Sequence, residues 1–482
     1  MITENMEEVL KIGILLSEKR DINQLLQEIL DSMMRLAHCD AGTLYLKDGD
    51  SLRFQIMCTI SKGIYMGGDG KRPDMKPVPL REDHVCAYAF LKNQVVSIAD
   101  VKNSKEYDFS GPAKYDKEMG YDTRSMLVVP LYNQKQEGIG VLQLINAMDA
   151  DGRLCAFPKE MELILRSVAS QAAIAITNVR YMRNIKDLFW SFVRVMSMAI
   201  NKRTPYNVRH SEHMAACAER FMEYLDSHGV RKFSPQQREE LLMSIWLHDI
   251  GKVITPLNVM DKEKRLLPEQ SAEISSRMKR IALLGRIDVL TGKCTQEEHG
   301  ALLQQLSEAQ ELIKELNGAG FVDERMKEAL DALAQRAYVE EDGSVCPWLR
   351  EDEYHMLSIV RGTLSKEERA VMEEHVSITG DMLQQIPFST ELSHVTQWAS
   401  SHHEFLNGTG YPRHLSGEDI PYEVRMITIL DIYDSLVADD RPYKPAKPKE
   451  DALRSREIMA KKEGKLDEEL VGLFRESRCW DD

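Results

Sequence analysis

The chain has 482 residues, enough for two or three domains, and its 43% hydrophobic content supports ordinary buried cores. A formal net charge of −15 excludes the broad basic face that a nucleic-acid polymer or an anionic membrane demands, so an anionic small ligand would need locally supplied positive charge. No apolar run approaches the length of a membrane span, and the opening MITENMEEVL lacks the basic and apolar regions of a secretory signal. The expectation is a cytoplasmic protein without membrane insertion. Its eight cysteines are scattered, with no CxxC pair, which reads as reduced and mostly buried thiols.

Residues 1–157 read as an α+β sensor-sized domain. Apolar residues at Leu25, Ile29, Met33 and Leu36 predict a helix over 22–37. Strand-like stretches follow at 42–46, 52–60, 94–98, 125–131 and 138–145, separated by turn residues such as Asp48-Gly49-Asp50 and Asn133. Residues 159–204 contain neither Gly nor Pro, and apolar residues recur at heptad spacing. Met161, Val168, Ala175, Met182, Phe189 and Met196 form one row; Leu165, Ala172, Val179 and Val193 form the other, with Lys186 the exception. This predicts a connecting helix over 158–200 that forms a parallel coiled coil in a homodimer; a helix folded back on its own domains is the alternative.

Residues 201–482 are dominated by helical patterns. A Glu-, Lys-, Gln- and Leu-rich stretch over about 268–363, including EEHGALLQQLSEAQELIKELNG, reads as an inserted helical hairpin. Its histidines, His299 and His355, have no partner at metal-ligand spacing and are expected at the surface. His213, His394 and His414 read as structural, packing or surface residues.

The rest of this region carries His210, His248-Asp249, His375, His402-His403 and Asp431, with Gly410-Tyr411-Pro412 close behind the His pair. Histidine and aspartate can hold two neighbouring divalent metals, and such pairs run in-line phosphoester hydrolysis. In LLMSIWLHDIGK an apolar run ends in His248-Asp249, and a buried carboxylate is costly unless paired or bound to metal. Neighbours on a helix point about 100° apart, so the two would flank a site from different sides.

Two family resemblances rest on these motifs. AGTLYLKDGDSL, EYDFSGPAKYDKEMGYDTRSMLVVPLYN and GIGVLQLINA resemble a GAF domain over roughly 20–180, closest to the GAF domains that bind cyclic nucleotides. Asn146 and Phe157 fit the signature of those domains, whereas Ala147 stands where lysine is expected. Small-ligand sensing, with a cyclic nucleotide as ligand, and ligand-free scaffolding both follow from that resemblance. TPYNVRHSEH, LLMSIWLHDIGK, MEEHVSITGDML, ASSHHEFLNGTGYP and ILDIYDSLVADDRPYK resemble, in order and spacing, the HD-GYP metallohydrolases that cleave cyclic di-GMP. The implied fold is multidomain: an α+β GAF domain, a long connecting helix, and an all-α HD-type domain over 201–482 with a helical insertion.

The second resemblance implies roles residue by residue. His210, His248, Asp249, His375, His402, His403 and Asp431 match metal ligands, Asp249 as the bridging and catalytic carboxylate. Lys252 matches the catalytic lysine that meets the scissile phosphate. Gly410, Tyr411 and Pro412 match the loop shaping the substrate pocket, and Arg441 and Lys444 match basic residues contacting the cyclic dinucleotide. Tyr206 replaces a glutamate that helps some members hold a third metal, so two divalent ions are implied, iron or manganese. Asn407-Gly408 replaces the commoner Asp-Gly, and one extra residue precedes Arg441. The implied activity is hydrolysis of cyclic di-GMP to pGpG and onward to GMP. A non-catalytic cyclic-dinucleotide receptor and a hydrolase of a hybrid cyclic dinucleotide are the alternatives.

Overall fold

The computed structural model describes residues 9–16, 21–68, 70–71, 73–203, 209–438 and 446–481. Tyr206, Arg441 and Lys444 lie outside the described residues. The chain forms two compact units, Met1–Phe189 and Trp190–Asp482.

The first unit is built on an antiparallel sheet. Helix α1 (Ile22–Ala37) is capped by Asp21, whose carboxylate accepts from the backbone N–H groups of Asn23 and Gln24. The strands are β1 (Cys39–Asp48), β2 (Ser51–Thr59), β3 (Ile64–Met66), β4 (Val78–Pro79), β5 (Val96–Ile98), β6 (Met126–Tyr132), β7 (Gly138–Met148) and β8 (Leu154–Cys155). Their main path runs β3-β2-β1-β7-β6-β5, with β4 against β2 and β8 against β7. Alternation along the strands divides the core in two. Leu44, Leu46, Leu127, Val129 and Leu131 meet α1, whereas Tyr45, Val128 and Val141 pack with Val85 and Phe90 on the opposite face. The latter two lie on α2 (Val85–Lys92), and α3 (Ser110–Met119) leads into β6.

Helix α4 spans Lys159–Asn201. Met161, Leu165, Val168 and Ala172, expected to lie along a coiled-coil seam, pack instead into the core beside α1. Farther along, Tyr181, Ile185, Leu188 and Phe192 are exposed at 4-3-4 spacing.

The second unit is helical around its site. Its elements are α5 (His210–Ser227), α6 (Pro235–Leu247), a 3₁₀ turn (Ile250–Val253) and α7 (Leu257–Met260). The insertion follows: α8 (Pro268–Leu290) and α9 (Gln296–Gly318) form the expected hairpin, followed by α10 (Glu324–Ala334), the ribbon β9 (Ala337–Val339) and β10 (Val345–Pro347), and α11 (Glu351–Leu357). The insertion has its own core, including Ile274, Met278, Leu306, Ile313, Leu316 and Trp348, and a buried bidentate Arg277–Glu353 pair at 2.7 and 2.9 Å. His299 corrects the surface expectation: it is buried, with Nε2 3.2 Å from the Ala282 carbonyl. The hairpin's inner face accommodates it, which helical periodicity alone does not reveal. His355 is exposed as expected.

The chain then returns with α12 (Lys366–Gln384), α13 (Val395–Ala399), α14 (Tyr422–Val437), α15 (Lys449–Lys461) and α16 (Glu468–Ser477). A main core of Phe221, Leu241, Ile245, Ile427, Leu430 and Phe474 joins α5, α6, α14 and α16. It fixes the helix ends from which the polar cluster projects.

Candidate metal centre

Five segments deliver the cluster. His210 opens α5; His248 and Asp249 follow α6; His375 lies mid-way along α12; His402 and His403 follow α13; Asp431 lies on α14. Helix α6 starts with a capping box between Ser234 and Gln237 and Pro235 at its first turn. Its buried Leu241, Ile245 and Leu247 then draw His248 and Asp249 inside.

The side chains form two abutting groups. His210 Nε2 lies 3.3 Å from His248 Nε2 and 3.2 Å from Asp431 Oδ1. His375, His402 and His403 form the second group, their ligand-type nitrogens within 4.8 Å of one another. Asp249 faces both: Oδ2 is 3.3 Å from His248 Nε2, while Oδ1 is 3.4 Å from His375 Nε2 and 3.9 Å from His402 Nε2. Lys252 Nζ donates to Asp249 Oδ2 at 2.6 Å from the 3₁₀ turn. All the expected ligands therefore meet in one place.

The ring orientations are fixed from behind. Nδ1 of His248 donates to the Ile245 carbonyl at 2.7 Å, His375 to Met372 at 2.5 Å, and His402 to Ala399 at 2.7 Å. A carbonyl only accepts, so each Nδ1 carries the proton and each Nε2 presents a lone pair to the cluster. His210 uses a carboxylate for the same purpose, its Nδ1 lying 2.5 Å from Asp434 Oδ2.

Electrostatics agree with this arrangement. Burial, with the nearby positive charge of Lys252, pushes His375 down to about 3; burial pushes His403 down to about 4 and His402 well below its ordinary value. Burial would also lower His210, but hydrogen bonds to Asp431 and Asp434 outweigh it and raise the ring to about 9. Burial would raise Asp249 and Asp431, yet the surrounding imidazoles, with Lys252 beside Asp249, hold both well below the usual carboxylate range. Neutral His375, His402 and His403 beside ionised carboxylates are in the forms that ligate divalent cations, whereas His210 would release its Nε2 proton on binding one.

The cluster fits a metal on a further ground. Asp249 Oδ1, His375 Nε2 and His402 Nε2 are buried without hydrogen-bond partners among the described residues. Such atoms are costly unless something takes their lone pairs. Nitrogen and carboxylate donors of this kind suit iron, manganese or zinc.

Several supporting residues had no role assigned from the sequence. Thr379, one helical turn beyond His375, accepts from Gly251 N and donates to the His248 carbonyl, both at 3.0 Å. Glu404 is buried and accepts from the backbone N–H of Arg413 at 2.7 Å and Leu415 at 2.9 Å, closing the loop that contains Gly410, Tyr411 and Pro412. The Tyr411 ring stands 4.9 Å from that of His403. Arg203 donates to the carbonyls of Lys252 at 2.5 Å, Thr255 at 3.1 Å, and Val253. Asp434 was signalled by its i+3 spacing from Asp431, which puts both on one helix face. Nothing local in the sequence marks Arg203.

His213 is exposed, with Nδ1 3.7 Å from Asp434 Oδ1, and His394 stacks on Trp398 beside Glu240. In the first unit, Asn146 Oδ1 accepts from Arg124 N at 2.7 Å and its amide donates to Tyr121 at 3.0 Å, while Phe157 is buried in the core.

Comparison with known proteins adds the lineage. The GAF domain family matches residues 21–176 and the HD domain family matches residues 352–470. The HD match begins in the last helix of the insertion, so His210, His248 and Asp249 precede it. A 3'3'-cGAMP-specific phosphodiesterase 3 of Vibrio cholerae is 40% identical over 93 residues, covering 19% of this chain and 19% of that one. A cyclic di-GMP phosphodiesterase of the same organism is 40% identical over 89 residues, 18% of each chain. A cyclic di-GMP phosphodiesterase of Thermotoga maritima is 32% identical over 126 residues, 24% of this chain and 34% of that one. The chain thus spans well under two thirds of these relatives. Among solved structures, the GAF domain of an Acinetobacter phosphoenolpyruvate-protein phosphotransferase is 14% identical with a TM-score of 0.29, covering 38% of this chain and 98% of that one. No described helix is long and apolar enough to cross a membrane. The chain carries a GAF domain followed by an HD domain.

Proposed function

We propose that this protein is a metal-dependent phosphodiesterase of the HD-GYP type that hydrolyses cyclic di-GMP to pGpG, and onward to GMP, under control of its GAF domain. The observation that carries the reading is Asp249, whose two oxygens face two separate groups of ligand side chains. His210, His248 and Asp431 would hold one ion, and His375, His402 and His403 the other, with Asp249 shared. Iron or manganese suits these donors. When bound, the ions supply Lewis-acid activation for in-line displacement at phosphorus.

The chain's own residues do the rest. The backbone carbonyls behind His248, His375 and His402 keep their Nε2 atoms aimed inward. Lys252, at the edge of the cluster, offers an ammonium group to a phosphoryl oxygen as negative charge grows there. Gly410, Tyr411 and Pro412 form a wall beside His403 for the substrate. Arg441 and Lys444, outside the described residues, supply further positive charge to the dianion.

The names of the relatives favour one second reading, hydrolysis of 3'3'-cGAMP. The test is incubation of full-length protein, loaded with manganese or iron, with each dinucleotide, followed by chromatography of the products. Linear pGpG is expected from cyclic di-GMP. Protein with two bound ions that leaves both dinucleotides intact, or binds them without turnover, would overturn the reading in favour of a receptor.

Control is assigned to the GAF domain, with a cyclic nucleotide as its candidate ligand. A cytoplasmic homodimer joined along α4 would transmit its state. The exposed Tyr181, Ile185, Leu188 and Phe192 support that assembly, because 4-3-4 spacing is the seam of a coiled coil.

A further inference from the structure

Cys217 and Cys479 are separated by 262 positions in sequence, yet their Sγ atoms lie 3.3 Å apart. Both are buried. Closing a disulfide of about 2.0 Å would need only about 1 Å of further approach. Cys217 lies on α5, two turns beyond His210; Cys479 follows α16.

A second feature lies in the core that holds Cys217 and Cys479 together with Tyr433 and Phe474. Arg456 on α15 is 0% exposed, and its side chain makes one hydrogen bond, to the Ile429 carbonyl at 3.3 Å. Its Nε and one Nη have no partner, and it forms no ion pair among the described residues. The guanidinium lies over Tyr433 and Phe474, at 4.5 and 4.2 Å from the ring centres. The ionisable groups bearing on it are Tyr433, Cys217, Cys479 and Glu457. A buried cation without a counter-charge is costly, and a thiolate between the two cysteines would supply one.

We propose that Cys217 and Cys479 form a redox-active dithiol, with buried Arg456 as the counter-ion of its thiolate, that a peroxide oxidises to a disulfide. Cys479 is the attacking sulfur, because it lies beyond the end of α16 in a segment held by exposed ion pairs, whereas Cys217 lies within α5. Burial would raise its thiol, but the Cys217 and Ser477 hydrogen bonds and the charges of Arg220 and Arg456 outweigh burial and lower it. Cys217 is pushed up, chiefly by that same hydrogen bond, and remains the protonated donor. The Cys479 thiolate attacks one peroxide oxygen, the O–O bond breaks, and the departing hydroxide takes up a proton to leave as water. The resulting sulfenic acid is attacked by Cys217; the S–S bond forms, the S–O bond breaks, and the departing hydroxyl takes the Cys217 proton and leaves as water. The two sulfurs lose two electrons and the peroxide gains them. Local opening of the segment around Cys479 admits the oxidant. That segment is tied by Arg220 to the Cys479 carbonyl and by the exposed Lys449–Asp481 and Arg478–Asp481 pairs.

The test uses the full chain treated with a slight excess of hydrogen peroxide, alkylated, digested without reductant and mapped by mass spectrometry. One cross-linked peptide pair containing Cys217 and Cys479 is expected, released by reductant, with the other six cysteines alkylated. Cys217→Ser should leave Cys479 as a sulfenic acid trapped by dimedone. Arg456→Met should slow oxidation at pH 7 by about tenfold, and Arg456→Lys should restore part of the rate. Absence of the Cys217–Cys479 cross-link in the unaltered protein, or oxidation spread evenly over all eight cysteines, overturns the proposal whether or not the Arg456 variants fold.

Discussion

His210 is held between two carboxylates of the same helix: its Nδ1 lies 2.5 Å from Asp434 Oδ2, and its Nε2 lies 3.2 Å from Asp431 Oδ1. One aspartate faces the ligand side of the ring and the other orients it from behind. Removing such an orienting partner typically costs ten- to a hundredfold in metal affinity or activity. Asp434→Asn should therefore lower turnover and metal affinity by about that factor. His248→Ala and Asp249→Ala, which remove ligands outright, should abolish turnover. Metal titration by calorimetry alongside the dinucleotide assay separates these cases; unchanged affinity in Asp434→Asn would show that the contact is only structural.

The orphaned atoms Asp249 Oδ1, His375 Nε2 and His402 Nε2 imply that metal stabilises the second unit. Binding at a hundredfold excess over Kd contributes about 2.7 kcal/mol, equivalent to roughly 5 °C in a unit of this size. Chelation should lower the melting temperature of the unit 190–482 by about that amount, and manganese should restore it. Calorimetry of the full chain with both transitions resolved reads this directly. An identical thermogram with and without chelator would rule out metal in the cluster.

Much of this was legible because short apolar runs and helical periodicity stand out in the sequence. The apolar run of β6 and the amphipathic pattern of α1 revealed their elements, with α1 ending where expected. The ligands were legible through their order and company. Their supports were harder to see, because an orienting contact depends on which helices cross. Thr379 meets the His248 turn across 131 positions, and Arg203 reaches Lys252 across 49. The α4 rows misled for a related reason. A heptad records that a face is apolar, and Leu165 and Val168 use theirs against their own sheet domain. Cys217 and Cys479 likewise meet only through the fold.

Gly251, between Asp249 and Lys252, marks the tightest crossing in the site. A Cβ there would stand 2.0 Å from the His375 carbonyl oxygen and 2.8 Å from Thr379 N, both backbone atoms that cannot rotate away. Gly251→Ala should therefore destabilise the second unit by about 3 kcal/mol or more. Chemical denaturation measures it; a loss below about 1 kcal/mol would mean that α12 yields easily.

The exposed stripe on α4 makes a prediction about assembly. Ile185 and Leu188 are 60% and 71% exposed, and replacing both with aspartate places like charges at adjacent levels of a coiled-coil seam. The double variant should be monomeric by light scattering where the unaltered chain is dimeric. Its GAF core should stay folded, because neither residue belongs to it. A dimer that survives both substitutions would place the contact elsewhere.

Arg203 follows the end of α4 and forks onto the carbonyls at the end of the Lys252 turn. Hydrogen bonds from a guanidinium are each worth about 1.5–3 kcal/mol, so its removal frees the turn that carries Lys252. If Lys252 meets the substrate only as charge develops on phosphorus, the loss belongs in kcat rather than KM. Arg203→Ala should lower kcat by about tenfold or more with metal content unchanged. Arg203→Lys should recover little, because an ammonium cannot reproduce the planar fork across three carbonyls. Steady-state kinetics with parallel metal analysis distinguish the outcomes. A rise in KM alone would assign Arg203 to ground-state binding, and full rescue by lysine would show that charge, rather than the shape of the clamp, holds the turn.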